Sequence, residues 1–244
     1  MKYKTQKEAL TVGIVIPAFN EAKNLRAVLD TVCAVNWFKQ IVVVDDGSTD
    51  GTLDIAELAA NCDARVLALH LPKNQGKAFA MLAGVRALQT DIVMFLDADL
   101  LGLSEKHLRE LYLPLIDSEC EMTIAVFQHG GLLTDASHRV APYLTGQRCL
   151  LRSEAEQVLA PLAGAHYGVE MGLTVHARRQ DWRVQKIIWQ GVTHRMKEQK
   201  RNGIAGLQSR WQMYRQIMTV VVPTEKSRSF RRFPFSKSTR LTLH

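Results

Sequence analysis

The 244-residue sequence is poor in cysteine: only four, Cys33, Cys62, Cys120 and Cys149, with no C-x-x-C pair and no histidine at zinc-finger spacing. Neither a disulfide framework nor a cysteine metal cage is encoded, and the thiols read as scattered core residues. No apolar run reaches the ~18 residues of a membrane span; the longest candidate, Ile92 to Leu103, carries Asp97 and Asp99 in its middle. The glycine signatures of two nucleotide folds are missing. No G-x-G-x-x-G follows the first apolar run, and Asn74-Gln75-Gly76-Lys77 lacks the rest of a Walker loop, so hydride-transfer and ATPase readings fall away. Lys2 to Glu8 is mixed in charge, and Pro17, Asn20 and Glu21 interrupt the stretch that follows. No cleaved leader is therefore expected, and the cytoplasm is the expected compartment. Acidic residues are scarce at one end: residues 176–244 hold 3 against 16 basic, whereas 1–175 hold 21 against 15. A basic end suggests an anionic partner, whether diphosphate, membrane headgroups or nucleic acid.

With 47% hydrophobic and 23% charged residues, the chain is an ordinary globular one, long enough to bury a core without staples. Continuous β-branched runs at Val12–Ile16, Ile41–Val44, Arg65–Leu69 and Ile92–Leu96 read as strands covered on both faces. Helical patterns separate them, after Asn20, after the Ser48-Thr49-Asp50 cap cluster and over Ala78–Leu88. This βαβαβαβ order predicts an α/β fold with an open, largely parallel sheet. Beyond it the spacing predicts a helix from Ser104 to about Ile116, a strand at Met122–Phe127 and a Gly-rich connection through Gly130 and Gly131. Next come a helix entered by a Ser153/Glu156 capping box, a helix over 168–180, a strand at Val184–Trp189 and a helix over 204–221. Residues 223–244, with six basic side chains and one acidic, read as a basic tail.

Ligands of parallel sheets bind beyond the carboxyl ends of the strands, where strand order reverses. The first run ends in Pro17-Ala18-Phe19-Asn20-Glu21, the second in Asp45-Asp46-Gly47-Ser48-Thr49-Asp50, the fourth in Asp97-Ala98-Asp99. Turn and cap roles suit Ser48 to Gly51. They suit Asp45, Asp46, Asp97 and Asp99 poorly, because massed carboxylates repel unless a cation compensates. An extended Asp97-Ala98-Asp99 points both carboxylates one way. Such hard oxygen ligands fit Mg²⁺ or Mn²⁺, which can also hold a diphosphate.

Over the first 100 residues PAFNE, VVVDDGSTDGT, NQGKAFA and FLDADL, in this order and spacing, closely resemble the family 2 glycosyltransferases and related enzymes of the GT-A fold. The resemblance implies sugar transfer from a nucleotide-diphosphate donor, with Asp97-Ala98-Asp99 as the metal motif. Pro17, Ala18, Asn20 and Glu21 would line the nucleoside pocket, and Asp45 and Asp46 would reach base or ribose. Lys77 would face the donor phosphate or sugar, unless it is a solvated lysine at a helix start. A GT-A domain over 1–222 is expected, its nucleotide-sugar half at about 10–103 and its acceptor half at 104–222, with the tail at 223–244.

In the second half His166-Tyr167-Gly168-Val169-Glu170-Met171-Gly172-Leu173, followed later by Gly191-Val192-Thr193-His194-Arg195, looks like the acceptor half of glucosyl-3-phosphoglycerate synthases. That implies Glu170 near the acceptor and His194 as a third metal ligand; the residues alone also allow a helix-capping Glu170 and a surface His194. Thr145-Gly146-Gln147-Arg148 lies where this superfamily recognises acceptors. There Gly146 would permit close approach, Gln147 and Tyr167 would adjoin the acceptor, and Arg148 with Arg139 would bind a carboxylate or phosphate; a turn with a surface arginine is the alternative. The E-D and Q-x-x-R-W patterns of polysaccharide-making members are missing. The expected activity is hexose transfer from a UDP- or GDP-linked sugar to a small anionic or phosphorylated acceptor, with catalysis by Glu170, Asp99 and Lys77. A polyprenyl-phosphate acceptor is the rival, with the tail and its Phe230, Phe233 and Phe235 meeting the membrane surface. Nucleic-acid binding leaves the acidic crevice unexplained. Stereochemical outcome and assembly, a homodimer included, stay open.

Overall fold

A computed structural model describes residues 10–127, 145–163 and 168–194. All fall within the first of the two units into which the chain divides, Met1–Arg201. Arg139, His166, Tyr167, the Gly130-Gly131 connection, the 204–221 helix and the basic tail lie outside the described residues.

The strands are β1 (Val12–Ala18), β2 (Phe38–Asp45), β3 (Val66–His70), β4 (Ile92–Phe95), β5 (Leu100–Leu101), β6 (Met122–Phe127), β7 (Arg148–Leu151), β8 (Val184–Trp189) and β9 (Thr193–His194). The helices are α1 (Leu25–Cys33), α2 (Thr52–Cys62), α3 (Lys77–Ala87), α4 (Glu105–Ile116), α5 (Arg152–Leu162) and α6 (Val169–Arg179). Seven strands form one sheet in the order β3-β2-β1-β4-β7-β6-β8, and β5 pairs with β9 in a separate ribbon. The β1–β2, β2–β3, β1–β4 and β6–β8 pairs are parallel; β7 runs antiparallel to both β4 and β6.

Alternation along the buried strands divides the core in two. Ile14, Ile16, Ile41, Val43, Ile92 and Met94 meet α1, α2 and α4 on one face. Val15, Val42, Val44, Val93 and Phe95 meet α3, α5 and α6 on the other. Each such side chain contributes about 1.5–3 kcal/mol by leaving water, so both faces must be roofed, and an α/β/α sandwich of the GT-A type results. Because β1 is followed by β2 and β3 on one side and by β4 on the other, strand order reverses between β1 and β4, which fixes the position of the crevice.

Three sequence expectations need correction. Ser153 and Glu156 form no capping box: α5 starts at Arg152 after Leu151, and Glu156 pairs with Arg86 and Arg152 instead. The cysteines are not uniformly core, since Cys62 is exposed. Arg148, read as the end of a turn or acceptor segment over 145–148, instead opens β7 (Arg148–Leu151) in mid-sheet. Among the described residues no helix is long and apolar enough to cross a membrane.

Candidate functional site

The carboxyl ends of β1, β2 and β3 are level, with Ala18 opposite Asp45 and Asp45 opposite His70. The loops beyond them are tied together. Asn20, at φ 54°, donates its backbone N–H to the Ser48 hydroxyl and accepts from the Thr49 N–H. Glu21 is buried, receives Asn24 on its carboxylate and donates its N–H to Thr52. Pro17 and Ala18 close the same edge at the end of β1.

Asp45 and Asp46 do not join Asp97 and Asp99 around one cation, as the clustering of acids suggested. Asp45 is buried with Oδ2 2.8 Å from His70 Nδ1. Asp46 accepts the backbone N–H groups of Gln75 (2.7 Å) and Gly76 (2.9 Å). Both are therefore compensated locally, and Asp46 anchors the turn that launches α3 with Lys77 as its first residue.

Lys77 occupies the centre of the crevice. Its ammonium donates to Asp97 Oδ1 at 2.7 Å and to Glu170 Oε1 at 2.8 Å. Burial opposes the ammonium, but the charges of Asp97 and Glu170 outweigh it and raise the Lys77 pKa above the ordinary lysine value. For Asp97 burial acts upward, but Lys77, His194 and Gln147 together outweigh it, so its pKa is lowered. Glu170 stands in the first turn of α6, whose N-cap is Gly168, and its carboxylate is engaged by the Lys77 ammonium.

His194 reaches the site through the short β5–β9 ribbon, which pairs Leu100 with His194. Gly102 (φ +75°) lets the ribbon close, because a Cβ there would collide with the Gly191 carbonyl. His194 Nδ1 lies 2.9 Å from Asp99 Oδ1. That hydrogen bond, against the effect of burial, raises the His194 pKa. Asp97, Asp99 and His194 each offer one ligand atom, all within 4.8 Å of one another. Two carboxylate oxygens and an imidazole nitrogen are a donor set that suits Mn²⁺ or Mg²⁺. The residues present thus fit a divalent cation, with Ala98 buried between the two aspartates.

Gly146 is pressed against the ion pair: a Cβ there would lie 2.6–2.7 Å from the Asp97 carboxylate and 2.7 Å from Lys77 Nζ. Gln147 and Arg148 are not placed as sequence reasoning expected. Gln147 is fully buried and donates its amide to Asp97 Oδ2 at 2.6 Å. Arg148, expected to open a fork to the acceptor, is also fully buried, because β7 lies between β4 and β6 and directs it beneath α6. Its Nε donates to the Thr145 carbonyl (3.1 Å) and its Nη1 to the Thr174 hydroxyl (3.1 Å). Burial pulls its pKa down to about 10, with Glu170 opposing. Sequence reasoning did not single out His70 or Thr174. The level strand ends offered a signal for the first; nothing local offered one for the second.

The model of Glycosyl transferase family 2 matches residues 13–168. Undecaprenyl-phosphate 4-deoxy-4-formamido-L-arabinose transferase of Yersinia pestis is 28% identical over 169 residues, covering 64% of this chain and 52% of that protein. Its Yersinia pseudotuberculosis counterpart gives the same figures. The chain spans about half the length of the curated relatives it matches. Among solved structures, Mycobacterium tuberculosis glucosyl-3-phosphoglycerate synthase in complex with Mn²⁺, UDP and glucosyl-3-phosphoglycerate aligns at TM-score 0.65 and 23% identity, covering 88% of this chain and 82% of that one. The same synthase with Mn²⁺, UDP-glucose and phosphoglyceric acid aligns at TM-score 0.65 and 22% identity, with the same coverage. At these identities the likeness is one of fold.

Proposed function

The chain belongs to glycosyl transferase family 2, and we propose that it transfers a hexose from a UDP- or GDP-linked sugar to a phosphate-bearing acceptor, assisted by Mg²⁺ or Mn²⁺. The observation that carries this reading is the junction of two charge systems at the strand-order reversal: the Asp97, Asp99 and His194 donor set, and the Lys77 ammonium held between Asp97 and Glu170. A divalent cation bound there supplies positive charge to the diphosphate oxygens and makes the nucleotide a better leaving group.

The chain's own residues divide the remaining tasks. Asp99 and His194 hold the cation, with Asp97 assisting. Lys77 brings a second fixed positive charge to the face on which negative charge develops, and a preorganised charge of this kind stabilises a transition state without reorganising. Pro17, Ala18, Asn20 and Glu21 line the nucleoside end, and Asp45 and Asp46 shape it through His70 and the 75–77 turn. Glu170 serves the acceptor hydroxyl, orienting it or taking its proton. Gly146 lets the backbone pass close against the ion pair, and Arg139 and Tyr167 are the remaining acceptor candidates.

Two acceptor classes share the phosphate chemistry. The synthases of like fold were solved with phosphoglyceric acid, which supports a small phosphorylated acid; the curated relatives are named for undecaprenyl phosphate, which supports a polyprenyl phosphate at a membrane surface met by the basic tail. Incubation of the full chain with UDP-glucose or GDP-hexoses, Mn²⁺ and either 3-phosphoglycerate in solution or undecaprenyl phosphate in vesicles, read by mass spectrometry, tests both. A hexosylated product in one arm supports the reading and identifies the class. No product from any donor in either arm contradicts it.

A further inference from the structure

Seven residues close a ring of hydrogen bonds at the site, Glu170 and Thr145 each linking it through both side chain and backbone carbonyl. The Thr145 hydroxyl donates to Gln147 Oε1, and Gln147 Nε2 donates to Asp97 Oδ2 at 2.6 Å. Lys77 Nζ donates to Asp97 Oδ1 and to Glu170 Oε1. The Thr174 hydroxyl donates to the Glu170 carbonyl at 2.7 Å, Arg148 Nη1 donates to Thr174, and Arg148 Nε donates back to the Thr145 carbonyl. From this ring we propose that Gln147 is a positioning residue: its side-chain amide fixes the Asp97 carboxylate against Lys77 and thereby keeps the ammonium seated between Asp97 and Glu170. The role rests on the reading that Lys77 serves the donor phosphates.

Three features make the amide specific. Asp97 spends one oxygen on Lys77 and the other on Gln147, so turning the carboxylate to suit a different partner breaks one of two charge-assisted bonds. The orientation of the amide is itself determined. The Thr145 hydroxyl donates to its oxygen, and a flipped amide would set that oxygen against a carboxylate. Finally, the backbone is held from the neighbouring strand, with the Gln147 carbonyl accepting the Ala125 N–H at 3.0 Å. Leucine at 147 would deprive Asp97 Oδ2 of this donor, asparagine is one methylene too short, and glutamate would set two carboxylates against each other. Gly146 adds an independent sign of close fit, since even one methyl group there would displace the same ion pair.

The test is the lysine ammonium itself. In ¹⁵N-lysine-labelled full-length protein the Lys77 resonance is identified by its loss in Lys77→Met. In Gln147→Leu the hydrogen exchange of that ammonium should speed about tenfold or more, as expected when one charge-assisted bond in the chain is lost. The kcat should fall by a similar factor with the acceptor KM nearly unchanged. Should Gln147→Leu not fold, Asp97→Asn/Gln147→Glu exchanges amide and carboxylate while keeping the donor–acceptor pairing. Its ammonium exchange should then be slower than in Asp97→Asn alone, a coupling that independent sites do not show. Unchanged exchange in Gln147→Leu, a rise confined to acceptor KM, or a double variant no better than Asp97→Asn would overturn the proposal. If the wild type transfers no sugar, the functional reading fails while the exchange measurement still decides the role of Gln147.

Discussion

Replacing Lys77 by methionine should strengthen metal binding while it disables transfer. The ammonium is 2.7 Å from Asp97 Oδ1, and Asp97 contributes to a ligand set no wider than 4.8 Å. A divalent cation in that set is therefore about 6 Å from the ammonium, and their repulsion is about 1.4 kcal/mol even at the dielectric of water, a factor of about ten in affinity. Lys77→Met should accordingly bind Mn²⁺ about tenfold more tightly in the absence of nucleotide. In metal-free buffer the same change leaves Asp97 and Glu170 without their shared counter-charge. Losing one partner of a buried pair costs about 3–5 kcal/mol. With the lysine side chain 37% exposed solvent screening reduces this to about 1–2 kcal/mol, a fall in Tm of roughly 3–6 °C for a chain of this size. Mn²⁺ should restore most of that loss. Transfer should nonetheless fall about 10²–10³-fold, the usual cost of removing one preorganised charge from a transition state. Calorimetric titration with Mn²⁺, scanning calorimetry with and without the metal, and a transfer assay give the three readings. Equal or weaker Mn²⁺ affinity in Lys77→Met would refute the reasoning, because the ammonium and the cation would then not share one field.

Three further outcomes follow from other parts of the molecule. His194→Ala should weaken Mn²⁺ binding by at least tenfold and leave nucleotide affinity in metal-free buffer unchanged, since removing one of three ligands acts on the cation alone; titration calorimetry reads both. Gly84→Ala should lower stability by about 1–3 kcal/mol in urea unfolding through overpacking, because a Cβ on that face of α3 would run into Val15 and meet Val44 at 3.1 Å. Asp63→Asn should destabilise at neutral pH, because Asp63 holds the Arg65 guanidinium (2.6 Å) that also donates to the carbonyls of Cys33 and Val35. The Arg65 hydrogen bond lowers the Asp63 pKa. The stabilisation is thus full above the unfolded-state pKa of about 3.9 and disappears as pH falls through the lower folded value; urea midpoints of wild type and Asp63→Asn should converge there.

Strands whose two faces are both buried announce themselves as unbroken β-branched runs, which is why β1, β2, β4 and β6 were legible; β8 was legible from its apolar residues although it lies at the sheet edge with Ile188 exposed. β7 was not. Its four residues begin with Arg148, and nothing local says that they insert antiparallel between strands distant in sequence. The misreading carried over to the site: an arginine beside Gly146 suggested an exposed anion-binding fork, and only the tertiary pairing shows the side chain sealed beneath α6. The strand-end acids were legible as a group because parallel sheets place such ends together, yet which of them stand near one another was not. Asp45 and Asp46 are satisfied by His70 and by backbone N–H groups, partners invisible in a linear pattern. The approach of His194 to Asp99 agrees with the metal-ligand role that the resemblance of Gly191–Arg195 to the synthases implied, whereas the residues alone also allowed a surface histidine; the two-residue ribbon that delivers it is too short to show in any periodicity.

The most direct measurement is a thermal-shift matrix of nucleotide-diphosphate sugars, with and without Mn²⁺, on wild type and Asp99→Asn. Ligand at about 100-fold over its Kd stabilises the native state by about 2.7 kcal/mol. One uridine or guanosine donor together with Mn²⁺ should therefore raise the wild-type Tm by roughly 5–10 °C. Neither component alone should do so, and Asp99→Asn should lose the joint effect. A donor-induced shift of undiminished size in excess EDTA and in Asp99→Asn, or no shift with any nucleotide sugar, would contradict a metal-assisted donor site at Asp97, Asp99 and His194.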